Sequence, residues 1–552
     1  MRTGALPNHC AEVIELIYGN SYLSCILGYK SRPQSPSRRD VKSANRKTIS
    51  VSDLMSAFRP SVVERPWRPS SGKSMTGNKI ADTKEDALIS GIAQALFRFG
   101  APLSRVEQRA LSVAQALEVP LTIQCLPQII MISFGDGSER HPTRTHFLKV
   151  PFGFNVGKLD EVDQLALQII DSSYLPSESV RMLDWGSTED MDFLDEAMKK
   201  LDRIVARPRT YSRPFKIMCG GMQCSIMAML AFAGSPGDGI LAFLLGSLSS
   251  AFIELNATYS VQGVDELLVS IVIASLSRLL QRFWPGNYLF IYPNAKLSSI
   301  MQFFEGTPAC QSLFSLSALL QLYPGMTITL GMLELGDNPV SGSVRMFQSF
   351  IRSLKLGFGL AIGAELGVQI LQLFSVSNPS FGGGMNSPTC PTDSSELYMI
   401  TWERLAYAFL YALGNYVSLE ARPSQFWKVV CAALMSFFVF TLARNLNSVD
   451  VAAGIAAFVV AACANVWSRV MHEIGVPFTV SGVLFLVPGS LGVNGAAKMF
   501  MTGTQMASGS AFGIDMISRS MAIALGIYVA NRLVFATNPE QQAKLIEKTM
   551  AF

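Results

Sequence analysis

From Phe215 onward the chain alternates long apolar runs with short polar breaks, and this pattern constrains its fold more than any other feature. A membrane-crossing helix needs about 20 mostly apolar residues. Ten stretches are candidates: Phe215–Ala233, Gly239–Leu255, Glu266–Phe283, Leu313–Leu333, Phe350–Phe374, Trp402–Leu419, Phe426–Ala443, Val451–Arg469, Val476–Ala497 and Ile517–Ala536. The second, sixth and seventh are short or carry polar residues. Residues 214–552 are about one-tenth charged, against about a quarter in an ordinary soluble domain. The whole chain is 49% hydrophobic and 16% charged. That composition excludes a wholly soluble protein and a disordered one.

Charge divides the rest of the chain. Residues 1–80 carry a net +8, residues 81–213 a net −4, and residues 214–552 none. The first 80 residues therefore read as a disordered basic arm, with Ser, Pro and Arg concentrated from Ser31 to Lys47. The arm reads as a solvated tail before it reads as a membrane-surface segment, and the excess charge gives no reason to expect nucleic acid. Val13–Leu27 does not read as a signal peptide, because Glu15 interrupts it. Residues 81–213 read as a compact α+β domain. Helical spacing covers Asp86–Phe99 and Ser104–Leu117, strand-like runs cover Leu121–Cys125, Ile129–Phe134 and Thr145–Val150, and helices follow at Leu159–Asp171 and Met191–Val205.

Basic residues orient the apolar runs. Arg203, Arg207, Arg209, Arg213 and Lys216 precede the first, Arg345, Arg352 and Lys355 approach the fifth, and Arg422 and Lys428 lie between the sixth and seventh. The positive-inside rule makes these ends cytoplasmic, and both termini with them. Arg278, Arg282 and Lys296 run against the rule. The loop at 375–399, without Lys or Arg, falls outside and divides the runs into membrane repeats at 214–374 and 400–537, leaving a tail at 538–552. Plasma membrane and vacuolar or other internal membranes remain open, as does a homo-oligomer. Cys219, Cys224, Cys431 and Cys463 fall within runs and read as small packing residues.

Leu322-Tyr323-Pro324-Gly325 recurs as Leu486-Val487-Pro488-Gly489, and both copies continue to a Gly in the pattern Pro-Gly-x5-Gly, ending at Gly331 and Gly495. Each copy occupies the fourth run of its five. Five is odd, so the two halves would be inverted, as in many secondary transporters. Proline removes an N–H and clashes with a carbonyl one turn back. In hydrocarbon such broken backbone survives only where it is buried or faces a wet cavity. Pro324, Gly325, Pro488 and Gly489 are therefore candidates for a solute site, against the plainer reading of packing kinks. Thr327, Thr329 and Asn494 would bind solute or satisfy the broken backbone. Glu365, amid Gly359, Gly363 and Gly367, is a candidate for binding an ammonium group or carrying a coupling proton.

These residues also resemble a known family, the threonine/serine exporter-like proteins, in the layout of its fungal-type members, the pheromone-regulated membrane proteins. The resemblance spans roughly residues 83–540. It begins at Arg98-Phe99-Gly100-Ala101-Pro102 with Arg105-Val106-Glu107, and continues through the Pro324-Gly325 run and Val476–Gly495. It implies a ten-helix exporter of small amino acids driven by an ion gradient. In some bacteria the halves are separate subunits and such a pair exports a dicarboxylate. Family members often carry Asn before the final Gly of Pro-Gly-x5-Gly; here the second copy has Asn494 and the first has Leu330.

The sequence thus predicts a polytopic α-helical membrane protein of about ten transmembrane helices in two inverted repeats, with a soluble α+β domain and a basic arm. The leading function is a secondary transporter exporting a small amino acid or carboxylate by alternating access, without a cofactor beyond a coupling ion, taken as a proton. The alternatives are a dicarboxylate exporter and a non-transporting membrane scaffold or fusion protein. With four His, no metal spacing, no nucleophile motif and no phosphate loop, an enzyme is not expected.

Overall fold

The computed structural model describes residues 84–135, 143–174, 188–259, 265–284, 310–373, 401–445, 448–471, 475–487, 489–502 and 506–534. The basic arm, the turn at Asp136, His141, His472 and Pro488 lie outside the described residues.

The first described unit is the α+β domain. Its elements are α1 (Lys84–Arg98), α2 (Leu103–Ala116), β1 (Leu121–Leu126), β2 (Ile129–Phe134), β3 (Arg144–Lys149), α3 (Val156–Tyr174) and α4 (Thr188–Ala206). The strands form one antiparallel sheet in the order β1-β2-β3. Leu126 pairs with Ile129 across a two-residue turn in which Gln128 takes a left-handed φ of 69°. Alternation on β2 buries Ile130, Ile132 and Phe134 in a core shared with Leu88, Ile92, Leu96, Val106 and Leu159. Period two on the strand and the apolar stripes of the helices thus meet in one interior. Gly100, between α1 and α2, has φ +105°, and a Cβ there would lie 2.8 Å from the Gly153 carbonyl oxygen. That conformation and close approach admit only glycine comfortably, which gives the Arg98–Pro102 segment a structural reason. Inside the domain Arg109 donates to both oxygens of Asp163, at 2.6 and 3.1 Å, with both side chains buried.

The apolar runs form α5 (Arg213–Phe232), α6 (Pro236–Tyr259), α7 (Asp265–Phe283), α8 (Gln311–Ala318), α9 (Gly325–Asp337), α10 (Pro339–Leu373), α11 (Trp402–Ser418), α12 (Phe426–Arg444), α13 (Val449–Met471), α14 (Val476–Leu484), α15 (Gly489–Thr502) and α16 (Met506–Val534). Among the described residues, seven helical stretches are long and apolar enough to cross a bilayer, and eight if the pair containing α8 and α9, bent by 50°, counts as one span. This makes the chain a multi-pass membrane protein, with fewer qualifying spans than the ten apolar runs suggest. The two runs that fall short are α7, which carries Asp265, Glu266, Arg278 and Arg282, and α11, which has 17 residues.

Helices approach one another through small residues, as membrane bundles do where no hydrophobic force separates protein from lipid. A Cβ at Gly363 of α10 would lie 2.4 Å from the Ile271 carbonyl oxygen of α7, and one at Gly526 of α16 would lie 2.3 Å from the Gly454 carbonyl oxygen of α13. These two seams occupy matching places: α7 packs on α10 as α13 packs on α16, α6 on α8 as α12 on α14, and α9 on α10 as α15 on α16. Between the halves, α10 packs on α15 while α9 packs on α16, and α5 packs on α11. Cys219 and Cys224 are buried free thiols in α5, whereas Cys431 and Cys463 are free and face outward. Cys310, at the start of α8, is disulfide-bonded, with its partner outside the described residues. Its N–H donates to Asp238 at 2.6 Å, fixing α8 to the start of α6.

The α+β domain is fastened to the helices by polar contacts. The α2 N-terminus donates from Leu103 N–H to Glu334 of α9 at 3.3 Å. Glu334 pairs with Arg345 of α10 at 2.9 Å, with side chains 2% and 5% exposed, and the Arg345 guanidinium lies 4.8 Å from the centre of the Phe152 ring. Val156 N–H donates to the Leu419 carbonyl at 3.0 Å, and Asn155 donates to Glu420, which also pairs with Lys216 at 2.9 Å. Removing one member of a buried ion pair strands the other and costs about 3–5 kcal/mol, whereas replacing both with apolar residues is often neutral. Arg345→Leu is therefore expected to lower stability by about that amount, and the Glu334→Leu/Arg345→Leu double variant to recover most of it. Thermal unfolding in detergent, followed by tryptophan fluorescence, checks both.

Candidate functional site at two interrupted helices

The fourth run is interrupted as the proline predicts. After α8 a single 3-10 turn covers Leu320–Leu322, Tyr323 is extended at φ −65° and ψ 132°, and Pro324 caps α9. A residue before proline is driven to extended backbone by the pyrrolidine ring, so the helix ends before Tyr323 and restarts after Pro324. In the ninth run α14 ends at Leu484 and α15 restarts at Gly489. The segment from Val476 to Phe500 counts as one span by length and composition.

The two restarts touch. A Cβ on Gly325 would sit 2.9 Å from Gly489 N and 2.9 Å from Val487 Cγ2. A Cβ on Gly489 would sit 2.7 Å from Tyr323 Cβ and 3.2 Å from Gly325 N. Only a residue without a side chain permits this approach on both sides. The first turn of any helix leaves N–H groups without intrahelical acceptors and carries about half a positive charge. Here two such ends converge, from α9 and from α15. Their mutual repulsion is relieved by negative charge placed against both.

The remaining sequence candidates divide into three groups. Thr327 donates to the Pro324 carbonyl at 2.7 Å and accepts from Ser349 of α10 at 2.9 Å. Thr329, fully buried, donates to the Gly325 carbonyl at 3.0 Å. Both hydroxyl protons are therefore occupied by backbone at the break. Asn494 lies five residues into α15 from Gly489, about 7.5 Å along the axis, and its Oδ1 is buried without a hydrogen-bond partner. Glu365 is elsewhere. It faces outward on α10, turned away from the seam that Gly359, Gly363 and Gly367 make with α7, and its charged neighbour is Arg278. Those glycines and Glu365 thus occupy different sides of one helix.

Sequence reasoning passed over a second polar group at the halves' interface. Gln223 of α5 donates to Asn415 Oδ1 of α11 at 2.8 Å and accepts from Ser418 at 2.8 Å, while Asn415 Nδ2 is buried without a partner. Amides inside two apolar runs were the available signal. Nearby, Tyr411 and Phe437 pack on Phe485, at the end of α14, with ring centres 4.8 and 5.7 Å apart. Among the described residues, no group of three or more His, Cys, Asp or Glu is arranged to hold a metal ion.

Because the two restarts abut, a methyl group at either glycine overpacks the contact: Gly325→Ala and Gly489→Ala are each expected to lower stability by about 1–3 kcal/mol. An unfolding temperature in detergent unchanged in both variants contradicts the contact.

Residues 87–185 and 186–367 match the family model described as "Putative threonine/serine exporter", and residues 404–533 match that described as "Threonine/Serine exporter, ThrE". The chain is 25% identical over 477 residues to pheromone-regulated membrane protein 10 of Eremothecium gossypii, covering 83% of this chain and 57% of that protein. It is 25% identical over 474 residues to the protein of the same name in Debaryomyces hansenii (81% and 42%) and 24% identical over 464 residues to that in Candida glabrata (80% and 52%). The chain spans about half the length of these curated relatives. No solved structure matches it.

Proposed function

This chain belongs to the threonine/serine exporter family, and we propose that it is a secondary transporter whose solute carboxylate is bound where α9 and α15 begin. The observation that carries this reading is the mutual contact of Gly325 and Gly489. It brings two helix N-termini together, and such ends stabilise carboxylates in broken-helix transporters. Pro324 sets the first break, Thr327 and Thr329 satisfy the exposed carbonyls, and Asn494 offers its free amide oxygen to a solute ammonium or hydroxyl. The matched packing of the two halves supports an inverted pair of five-helix units with ten helices in the membrane. Threonine or serine is the substrate that the family suggests. The approach of two positive ends, rather than one, also favours a dicarboxylate.

Because Gly325 and Gly489 are in van der Waals contact, this state leaves no room for a solute between them. Alternating access requires the two restarts to part. A coupling proton needs an acid, and Glu365, on the outer face of α10, is the one carried forward for testing.

Proteoliposomes loaded with labelled threonine, serine or succinate provide the assay. Release down an imposed proton gradient is expected for one of the three. Gly489→Val is expected to lower it more than tenfold and Asn494→Leu about tenfold, in protein that still reconstitutes. Full activity in Gly489→Val ends the proposed site. Glu365→Gln separates the roles: loss of gradient dependence makes it the coupling acid, and unchanged transport removes it. No release of any of the three, with function retained in a cellular assay, favours the scaffold reading.

A further inference from the structure

A cavity of about 210 Å³ opens on the soluble domain between α1, the end of β3 and α4. Four polar side chains line it: Gln94 and Arg98, one turn apart on α1, Lys149 at the end of β3, and Asp202 on α4. Val150 and Val205 supply apolar wall. Among the described residues, none of the four has a hydrogen bond or ion pair. Arg98 and Lys149 are exposed at its rim, and neither forms an ion pair with Asp202.

Asp202 is the informative member. It is half-buried, and burial alone pushes its carboxyl above the usual range, with no cation close enough to oppose the shift. Lys158, which reaches the end of α4, is committed to backbone: it donates to the carbonyls of Val205 at 3.2 Å and Arg207 at 2.7 Å. A half-buried carboxylate without a counter-charge, facing two unpaired cations across a gap, is complementary to a ligand that carries both charges a few ångströms apart. The volume corresponds to about seven waters' share of liquid, enough for a small amino acid with some of its hydration.

We propose that this cleft binds a small zwitterion, an α-amino acid, with its carboxylate toward Arg98 and Lys149, its ammonium on Asp202, and its side chain against Val150 and Val205. This site is separate from the helix restarts, and it stands whether or not the membrane site transports amino acids.

Hydrogen exchange of the purified full chain in nanodiscs tests it. L-Serine, L-threonine and glycine are each added, alongside propionate and propylamine, which carry one charge apiece. At least one of the amino acids is expected to slow exchange in residues 84–98 and 194–206 saturably, with either single-charge analogue at least tenfold weaker. Asp202→Asn, Arg98→Gln and Lys149→Gln are each expected to raise the half-saturating concentration about tenfold or more. Their exchange without ligand identifies any variant that fails to fold, and the remaining variants then carry the comparison. Gly489→Val is expected to leave the protection intact, which separates this cleft from the membrane site. The proposal is overturned if no amino acid protects these segments, if propionate protects as well as serine, or if the folded variants bind as the parent does.

Discussion

A proline within a membrane helix takes away one backbone donor and displaces a carbonyl where no water can compensate. The way the chain meets that cost organises its centre. Thr327 and Thr329 return hydrogen bonds to the Pro324 and Gly325 carbonyls, and Ser349 of α10 extends the network to a neighbouring helix. Neither threonine oxygen accepts from the first-turn N–H groups of α9. These stay directed at the start of α15, which brings N–H groups of its own. The polarity of the bundle's centre is therefore set by backbone, and side chains refine it.

The same helix carries that arrangement to the soluble domain. Near its C-terminal end α9 carries Glu334, which accepts from the first turn of α2 and pairs with Arg345. Helix α10, about 52 Å long at 1.5 Å per residue, exceeds the hydrocarbon thickness of about 30 Å, and its early turns lie beneath Phe152. The soluble domain is thus joined to the interrupted helix at the end opposite its break. Lys216, Glu420 and Asn155 make a second attachment where α5 of the first half meets the end of α11 of the second.

Much of this architecture was readable from residue order. Helices and strands of the soluble domain fall within a few residues of their periodic patterns because each pattern is local: alternation in Ile129–Phe134, three-and-four spacing in Lys84–Arg98. Proline and glycine marked the break before α9 for the same reason, since the steric cause lies within two residues of its effect. The site candidates fared unevenly because they depend on direction. Spacing places Glu365 two residues from Gly363, and two residues on a helix is about 200° of rotation; which side meets α7 is decided by Ser270 and Ile271, far away in sequence. The Glu334–Arg345 pair was equally hidden, since one partner reads as a span end and the other as an orienting charge. Their burial depends on Leu103 and Phe152 covering them from another domain.

The Gly325–Gly489 contact is made by main chain against main chain, so its closeness is set by the two backbones themselves. Shortening a side chain there is impossible, and lengthening one pries the backbones apart. Tolerance at these two positions is therefore one-sided: every substitution adds volume, and none can close a gap that a shift of either helix has opened.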